Sequence, residues 1–482
     1  MSGGDIMLSI LNLDSPAGVI PKQVFADVSM DKLVSGDEIT VLSKICTPAD
    51  ILARQEVFRL CEDKDFYDWL QGLYLDLKYL EKARYMFEHA ENEVEQSALF
   101  LRYAGAYLES LESMENSHET PFMRALSNEA EARLPEKEAL ANHLSEYAEA
   151  WGRISKIRVT LGAEGAYLKK SAEGTPSISD RIYRIADSMG CGSELEAHKL
   201  SYKMSYLMSA AIVRLYSEEF RQMSELRKVM LPIIKLDILS LIADIDFYLS
   251  INRLRKRAAE RGVICCYPEI SEKPVYRAEN ICDVSLILKD GAVIVPNDID
   301  ISEGDSAFFI RGANGGGKTT YLRTVVINLI MFLGGCPVYG ERAEIYPFTM
   351  VFTHFPENEG FTVGGRLENE EKRLNEVMKT VGQGSFLCFN ETFSGADEQK
   401  GTALSLSLMN EIRQKGAFAL FVTHFHGVTG GDIPSLTTVV TGDGNERTYK
   451  IVRMSGGRSS YAFDILKKHG LDRDSLRQVK PC

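Results

Sequence analysis

The sequence lacks the segments that would place it in or through a membrane. No apolar run reaches the roughly 18 residues needed to cross a bilayer. The first residues lack the basic-then-apolar layout of a secretory signal. A cysteine framework is missing too. The nine cysteines are scattered and odd in number, and Cys265 and Cys266 are adjacent rather than at metal-ligand spacing. Without a secretory signal, that pattern points to reduced thiols in a cytoplasm. Positive charge is in deficit: 55 Lys and Arg stand against 68 Asp and Glu, a net charge of −13. This excludes a surface that coats nucleic acid over its whole area, but leaves room for a local basic face. With 482 residues, 45% of them hydrophobic and 26% charged, the chain reads as a soluble globular protein of about two to four domains.

What the sequence does hold is Gly312-Ala313-Asn314-Gly315-Gly316-Gly317-Lys318-Thr319, which fits the phosphate-loop pattern G-x-x-x-x-G-K-[ST]. Its flanks fit as well. Ala307 to Arg311 reads as a short buried strand, and Thr320 to Ile327 as the start of a helix. Glycines let consecutive backbone N–H groups turn inward, where they and the positive end of the helix hold a polyphosphate. In that reading the nucleotide-binding residues are Gly312, Ala313, Asn314, Gly315, Gly316, Gly317, Lys318, Thr319 and Thr320. Lys318 reaches the β- and γ-phosphates of ATP, and the Thr319 hydroxyl meets Mg²⁺.

Such a loop needs a neighbouring strand with a residue that fixes Mg²⁺ and an acid that activates water. Phe386-Leu387-Cys388-Phe389-Asn390-Glu391 has that form, an apolar run ending in two polar residues. Glu391 is the expected general base. Asn390 stands where an Asp is the usual residue, so weaker Mg²⁺ binding or slow turnover is expected. Ser394-Gly395-Ala396-Asp397 follows as a loop, and Phe418 to Thr423 reads as a buried strand ending at His424. A histidine at that end of a strand can hydrogen-bond a γ-phosphate, which makes His424 a candidate catalytic residue. His354 and His426 have no such order behind them.

Before this part the pattern is helical, from about Val41 to Cys266, with Pro48 at a helix start and Pro232 breaking the longest helical stretch. Two long helices split by a proline suggest a lever. Acidic residues dominate from Glu88 to Glu149 and read as a solvated helix face. Trp151 to Arg184 differs, with seven Lys and Arg against three acids, a local charge of +4. Ile154 to Leu161 alternates like a strand, a turn follows at Gly162 and Gly165, and Ala166 to Lys170 returns. This stretch reads either as a phosphate-contacting tip or as a solvated hairpin. From about residue 271 onward, strands and helices alternate, as in a mostly parallel sheet.

The order of glycine loop, Gly364-Gly365-Arg366 helix start, Asn390-Glu391 strand, Ser394-Gly395-Ala396-Asp397 and His424 strand resembles the ABC-type ATPases. More narrowly it resembles the MutS family of DNA mismatch-repair ATPases. The narrower likeness rests on Gly312 to Arg323, on Ile45 to Gln55, and on Tyr449-Lys450-Ile451 with Ser460-Tyr461-Ala462, Leu466 and Gly470-Leu471. The resemblance implies a multidomain fold, an all-α core and lever domain followed by an α/β P-loop NTPase domain of ABC type. It partitions the chain into an N-terminal extension (1–40), a helical core and lever (41–270) with a clamp insertion near 110–195, and a MutS-type ATPase domain (271–482). It also implies a homodimer, with ATP held by one subunit and capped by the other, and a clamp on duplex or branched DNA with protein partners of repair. The alternative is a nucleotide-gated scaffold that recruits proteins and has little DNA affinity; the acidic helical arm favours it.

The chain also departs from the family pattern. No segment resembles the mismatch-reading domain. The signature Ser-Thr positions correspond to Leu367 and Glu368, and the position that stacks an aromatic on adenine corresponds to Ile294. These departures put mismatch recognition and fast hydrolysis in question, but not nucleotide binding.

Overall fold

The computed structural model describes residues 16–115, 120–154, 157–162, 165–170, 206–289, 291–302, 304–355, 371–372, 374–428, 432–441 and 446–454. They divide into two compact units: one holds residues 63–246, the other 11–62 together with 247–482. Among the described residues no helix is long and apolar enough to cross a membrane.

The first unit is mainly helical. Its helices are Lys64–Glu88, Glu93–Ser113, Pro121–Ala132, Leu134–Ile154, Tyr206–Leu215 and Ser217–Met230. Three of the starts are chemically marked. The side chains of Asp63, Asn92 and Thr120 accept the N–H groups of Phe66, Glu95 and Met123, which the first helical turn leaves unpaired. Along Lys64–Glu88, Leu70, Leu73, Leu77 and Leu80 recur at helical spacing and are buried. Phe87 stacks on Tyr103 at 5.6 Å, and the Tyr147 hydroxyl donates to the Ser97 carbonyl at 3.1 Å. Glu91, Glu95, Glu109, Glu112 and Glu115 are exposed, as a solvated face requires. Glu93 instead pairs with Arg227 at 2.7 Å. The unit also carries an antiparallel hairpin of the strands Ile157–Gly162 and Gly165–Lys170. The helix Ser217–Met230 stops two residues before Pro232, whose ring cannot follow a helical turn.

Among the described residues there are fourteen short strands: β1 (Gly18–Val19), β2 (Lys44–Ile45), β3 (Ile157–Gly162), β4 (Gly165–Lys170), β5 (Glu269–Ile270), β6 (Val275–Ile281), β7 (Asn297–Ser302), β8 (Ala307–Arg311), β9 (Arg342–Ile345), β10 (Met350–His354), β11 (Ser385–Asn390), β12 (Phe418–Val422), β13 (Ser435–Thr441) and β14 (Glu446–Arg453). In the second unit a six-stranded sheet has the order β10-β11-β12-β8-β13-β14. All its pairings are parallel except β13 with β14. The parallel strands β8, β11 and β12 are covered on both faces, so they read as unbroken apolar runs rather than alternating ones. Phe309, Phe389 and Phe421 form one buried layer with Leu408, Met409 and Ile412 of the helix Glu398–Gln414. A second, mixed sheet has the order β5-β9-β6-β7.

Residues 16–62 are built into this second unit. Thr353 at the end of β10 donates to the Asp27 carboxylate at 2.6 Å. The helix Pro48–Leu60 starts at a capping box in which Thr47 and Asp50 satisfy each other's backbone N–H groups. It carries Arg54, which is 2% exposed. Arg54 Nη1 donates to the Gly334 carbonyl at 2.7 Å, and its guanidinium lies 5.6 Å from the Phe247 ring centre. Gly334 is the C-cap of the helix Lys318–Leu333. The end of that helix is therefore held from residues almost three hundred positions earlier.

Candidate functional site

The helix Lys318–Leu333 begins directly after the glycine loop, with Gly317 as its N-cap at φ 95°. Gly312 has φ 121°. A Cβ at Gly312 would meet Thr438 Oγ1 at 2.1 Å. Both backbone angle and space therefore demand glycine at the start of the loop. The loop curls around the Lys318 side chain, which is 5% exposed. Lys318 Nζ donates to the carbonyls of Gly312 (2.7 Å) and Ala313 (3.1 Å) and to Asn314 Oδ1 (3.4 Å). Burial pulls the Lys318 pKa down, and the negative charge of Glu391 opposes that fall. Gly315 and Gly316 complete the curve, and Arg447 of β14 donates from outside to the Gly315 carbonyl at 3.3 Å.

Parallel pairing brings the carboxyl ends of β8, β11 and β12 to one sheet edge. The edge is tied together by backbone bonds: Glu391 N–H donates to the Val422 carbonyl, and Thr423 N–H to the Ile310 carbonyl. Thr319, in the first turn of the loop helix, donates its hydroxyl to Asn390 Oδ1 at 3.0 Å. Residues 71 positions apart thus meet as two adjacent oxygens. Glu391 sits next to them with φ 53°, and Phe393 follows with φ 67°. A non-glycine residue in this left-handed region costs of the order of 1–3 kcal/mol, so the turn that presents Glu391 is over-determined by its surroundings. Part of that support comes from His354, buried at the end of β10, whose Nδ1 lies 2.8 Å from Thr392 Oγ1. The sequence showed no strand order behind His354, and its contact with Thr392 emerges only from the fold.

His424 stands two residues beyond β12 on the same edge, exposed, with its ring 4.4 Å from that of Phe425. His426 lies near Arg311, with Nδ1 to Nη2 at 3.3 Å, and its backbone N–H donates to Glu398. Lys318, Thr319, Asn390 and Glu391 therefore form one group, and His424 flanks it. Thr320 faces a different space: a cavity of about 240 Å³ that it lines with Gly317, Tyr449, Val293 and Val295. Ile294 is not among the lining residues; strand-like alternation places its two neighbours there instead.

Residues 308–441, which hold this whole group, match the family model described as MutS domain V. Curated relatives named Endonuclease MutS2 align with the chain. The one from Geobacillus sp. (strain WCH70) is 26% identical over 40% of this chain and 25% of its own length. The one from Enterococcus faecalis (strain ATCC 700802 / V583) is 29% identical over 39% of this chain and 24% of its own length. The one from Streptococcus suis (strain 05ZYH33) is 26% identical over 48% and 29%. Over the aligned part the chain is similar to MutS-family proteins, at low identity. The aligned part spans about a quarter of the length of these relatives.

The residues present suit a magnesium nucleotide. Thr319 Oγ1 and Asn390 Oδ1 are hard oxygen donors, the kind Mg²⁺ takes alongside phosphate oxygens and water. Both are neutral, so the charge that holds a cation there would come from the phosphates. Among the described residues no cluster of three His, Cys, Asp or Glu could hold a metal without a ligand's help. The signature positions Gly364 to Glu368, the stretch from 171 to Arg184 and the tail from Ser460 to Leu471 lie outside the described residues.

Proposed function

We propose that this MutS-like chain binds and hydrolyses ATP at the glycine loop, and that nucleotide binding between two copies controls its grip on DNA. The observation that carries the reading is the meeting of Thr319 and Asn390 at 3.0 Å beside the buried Lys318. It joins the loop to the strand end that must present the water-activating acid. Lys318 would exchange two loop carbonyls for β- and γ-phosphate oxygens, which recovers the electrostatic energy that burial costs it. Thr319 and Asn390 would hold Mg²⁺. Glu391, one residue on, would accept a hydrogen bond from the attacking water and take its proton. His424 and Arg447 would add positive or hydrogen-bonding character at the γ-phosphate and over the loop. Alignment and charge neutralisation carry most of phosphoryl-transfer catalysis, and this group supplies both. Asn390 lowers the negative charge around the metal, and slow turnover follows.

The role in DNA engagement rests on the family and on the basic residues of the hairpin β3–β4 and its flanks. Relatives named MutS2 support a role in repair or recombination. A salt titration of the intact chain on duplex and branched DNA, with and without ATP and Mg²⁺, tests this reading. Phosphate contacts give a log affinity that falls steeply with log salt, with a slope that changes on nucleotide addition. Binding that is absent or flat under every condition would contradict the DNA role and leave a nucleotide-gated protein scaffold.

A further inference from the structure

The cavity beside Gly317 and Thr320 has walls of Leu286, Val293 and Val295, with the Tyr449 backbone and ring across from Gly317. One acid stands in its lining, Asp283, at 3% exposure. A buried carboxylate in an apolar wall needs a reason. Part of the reason is local: Asp283 precedes the 3-10 helix Val284–Leu288 and accepts the Ser285 N–H at 2.9 Å. Ser, Thr or Asn would cap that turn equally well without the desolvation of a full charge. Burial pushes the Asp283 carboxyl upward, opposed by hydrogen bonds from Ser285 and by the charges of Arg323 and Lys289. A carboxylate has about four lone-pair sites, and Ser285 uses only part of them. Two other polar side chains of the wall are occupied. Asn297 donates to the carbonyls of Val295 and Tyr449 and accepts the Ile451 N–H, while Thr324 donates to the Thr320 carbonyl.

We propose that Asp283 is a specificity-determining residue of this site, accepting the exocyclic amino group of adenine from the wall of the cavity. The inference rests on the nucleotide reading of the glycine loop and adds the choice of base to it. Apolar walls take the faces of the purine, and one buried acceptor distinguishes its edge. Guanine places a carbonyl oxygen where adenine has the amino group, and two acceptors would then face each other.

Binding of three ligands to the full chain tests this: ATP, purine riboside triphosphate (which lacks only the amino group) and inorganic tripolyphosphate. A hydrogen bond to a buried charge predicts that wild type prefers ATP over purine riboside triphosphate by about tenfold or more. Asp283→Ala should bring that preference close to one and leave tripolyphosphate affinity unchanged, which also shows that the variant is folded. Asp283→Asn, which keeps the cap and an acceptor oxygen, should fall between. Equal wild-type affinity for ATP and purine riboside triphosphate would overturn the inference while the nucleotide site stands. An Asp283→Ala variant that loses both nucleotides equally would also overturn it, assigning the carboxylate to the ribose or to the fold. If neither ATP nor tripolyphosphate binds wild type, the nucleotide reading itself fails and takes this inference with it.

Discussion

Thr319 and Asn390 offer a divalent cation two neutral oxygens 3.0 Å apart, where a carboxylate would add a full negative charge. Asn390→Asp supplies that charge without changing the backbone or the volume. It should lower the Mg²⁺ concentration needed for half-maximal ATP hydrolysis by about tenfold, since one added charge contact at a metal site contributes on the order of 1–2 kcal/mol. An unchanged Mg²⁺ dependence, measured by steady-state phosphate release, would show that Asn390 does not face the metal. At this scale the loop from Gly312 to Thr319 was legible because its chemistry is local and its spacing fixed. Asn390 and Glu391 were legible because an apolar run ending in polar residues marks the end of a buried strand. Asp283, His354 and Arg447 were not. Each reaches the site only through a tertiary approach, and no short motif encodes that approach.

Among elements, the helix Lys318–Leu333 connects the glycine loop at one end to Arg54 at the other. Its C-terminus carries partial negative charge from unpaired carbonyls, which the Arg54 guanidinium and the Cys46 N–H satisfy. Arg54→Ala removes a charge-assisted hydrogen bond and leaves a cavity beside Phe247. Its expected cost is about 2–4 kcal/mol, read as a lower denaturant midpoint. Arg54→Lys, which keeps the charge but not the planar fork, should cost less. Equal stability of wild type and Arg54→Ala would show that the helix end needs no support from the N-terminal segment. The helix start at Pro48 could be read from Thr47 and Asp50, whose spacing encodes a capping box. That the helix then docks at Gly334 could not, since it depends on contacts across 280 positions. The hairpin β3–β4 and the parallel run β8, β11 and β12 were readable from alternation and from apolar length. The positive φ of Glu391, Phe393 and Tyr449 was not, because side chains of these types carry no signal for the left-handed region.

For the whole molecule, the sequence suggested helices first and alternating strands afterwards; the described residues are helical with mixed sheets and divide into two compact units. At the N-terminus, residues 11–62 group with 247–482. The sequence reading set residues 1–40 apart as an extension, because short elements such as β1 and the helix Lys22–Asp27 leave no long periodic pattern. The DNA and dimer roles belong to this scale, and both depend on triphosphate capture at the loop. That capture is tested most directly by calorimetric titration of ATP with Mg²⁺ into the intact chain and into Lys318→Ala. The account predicts saturable binding at one site per chain, lost in Lys318→Ala at an unchanged melting temperature. A wild-type chain that takes up no ATP, or a Lys318→Ala chain that binds it equally well, would contradict the account.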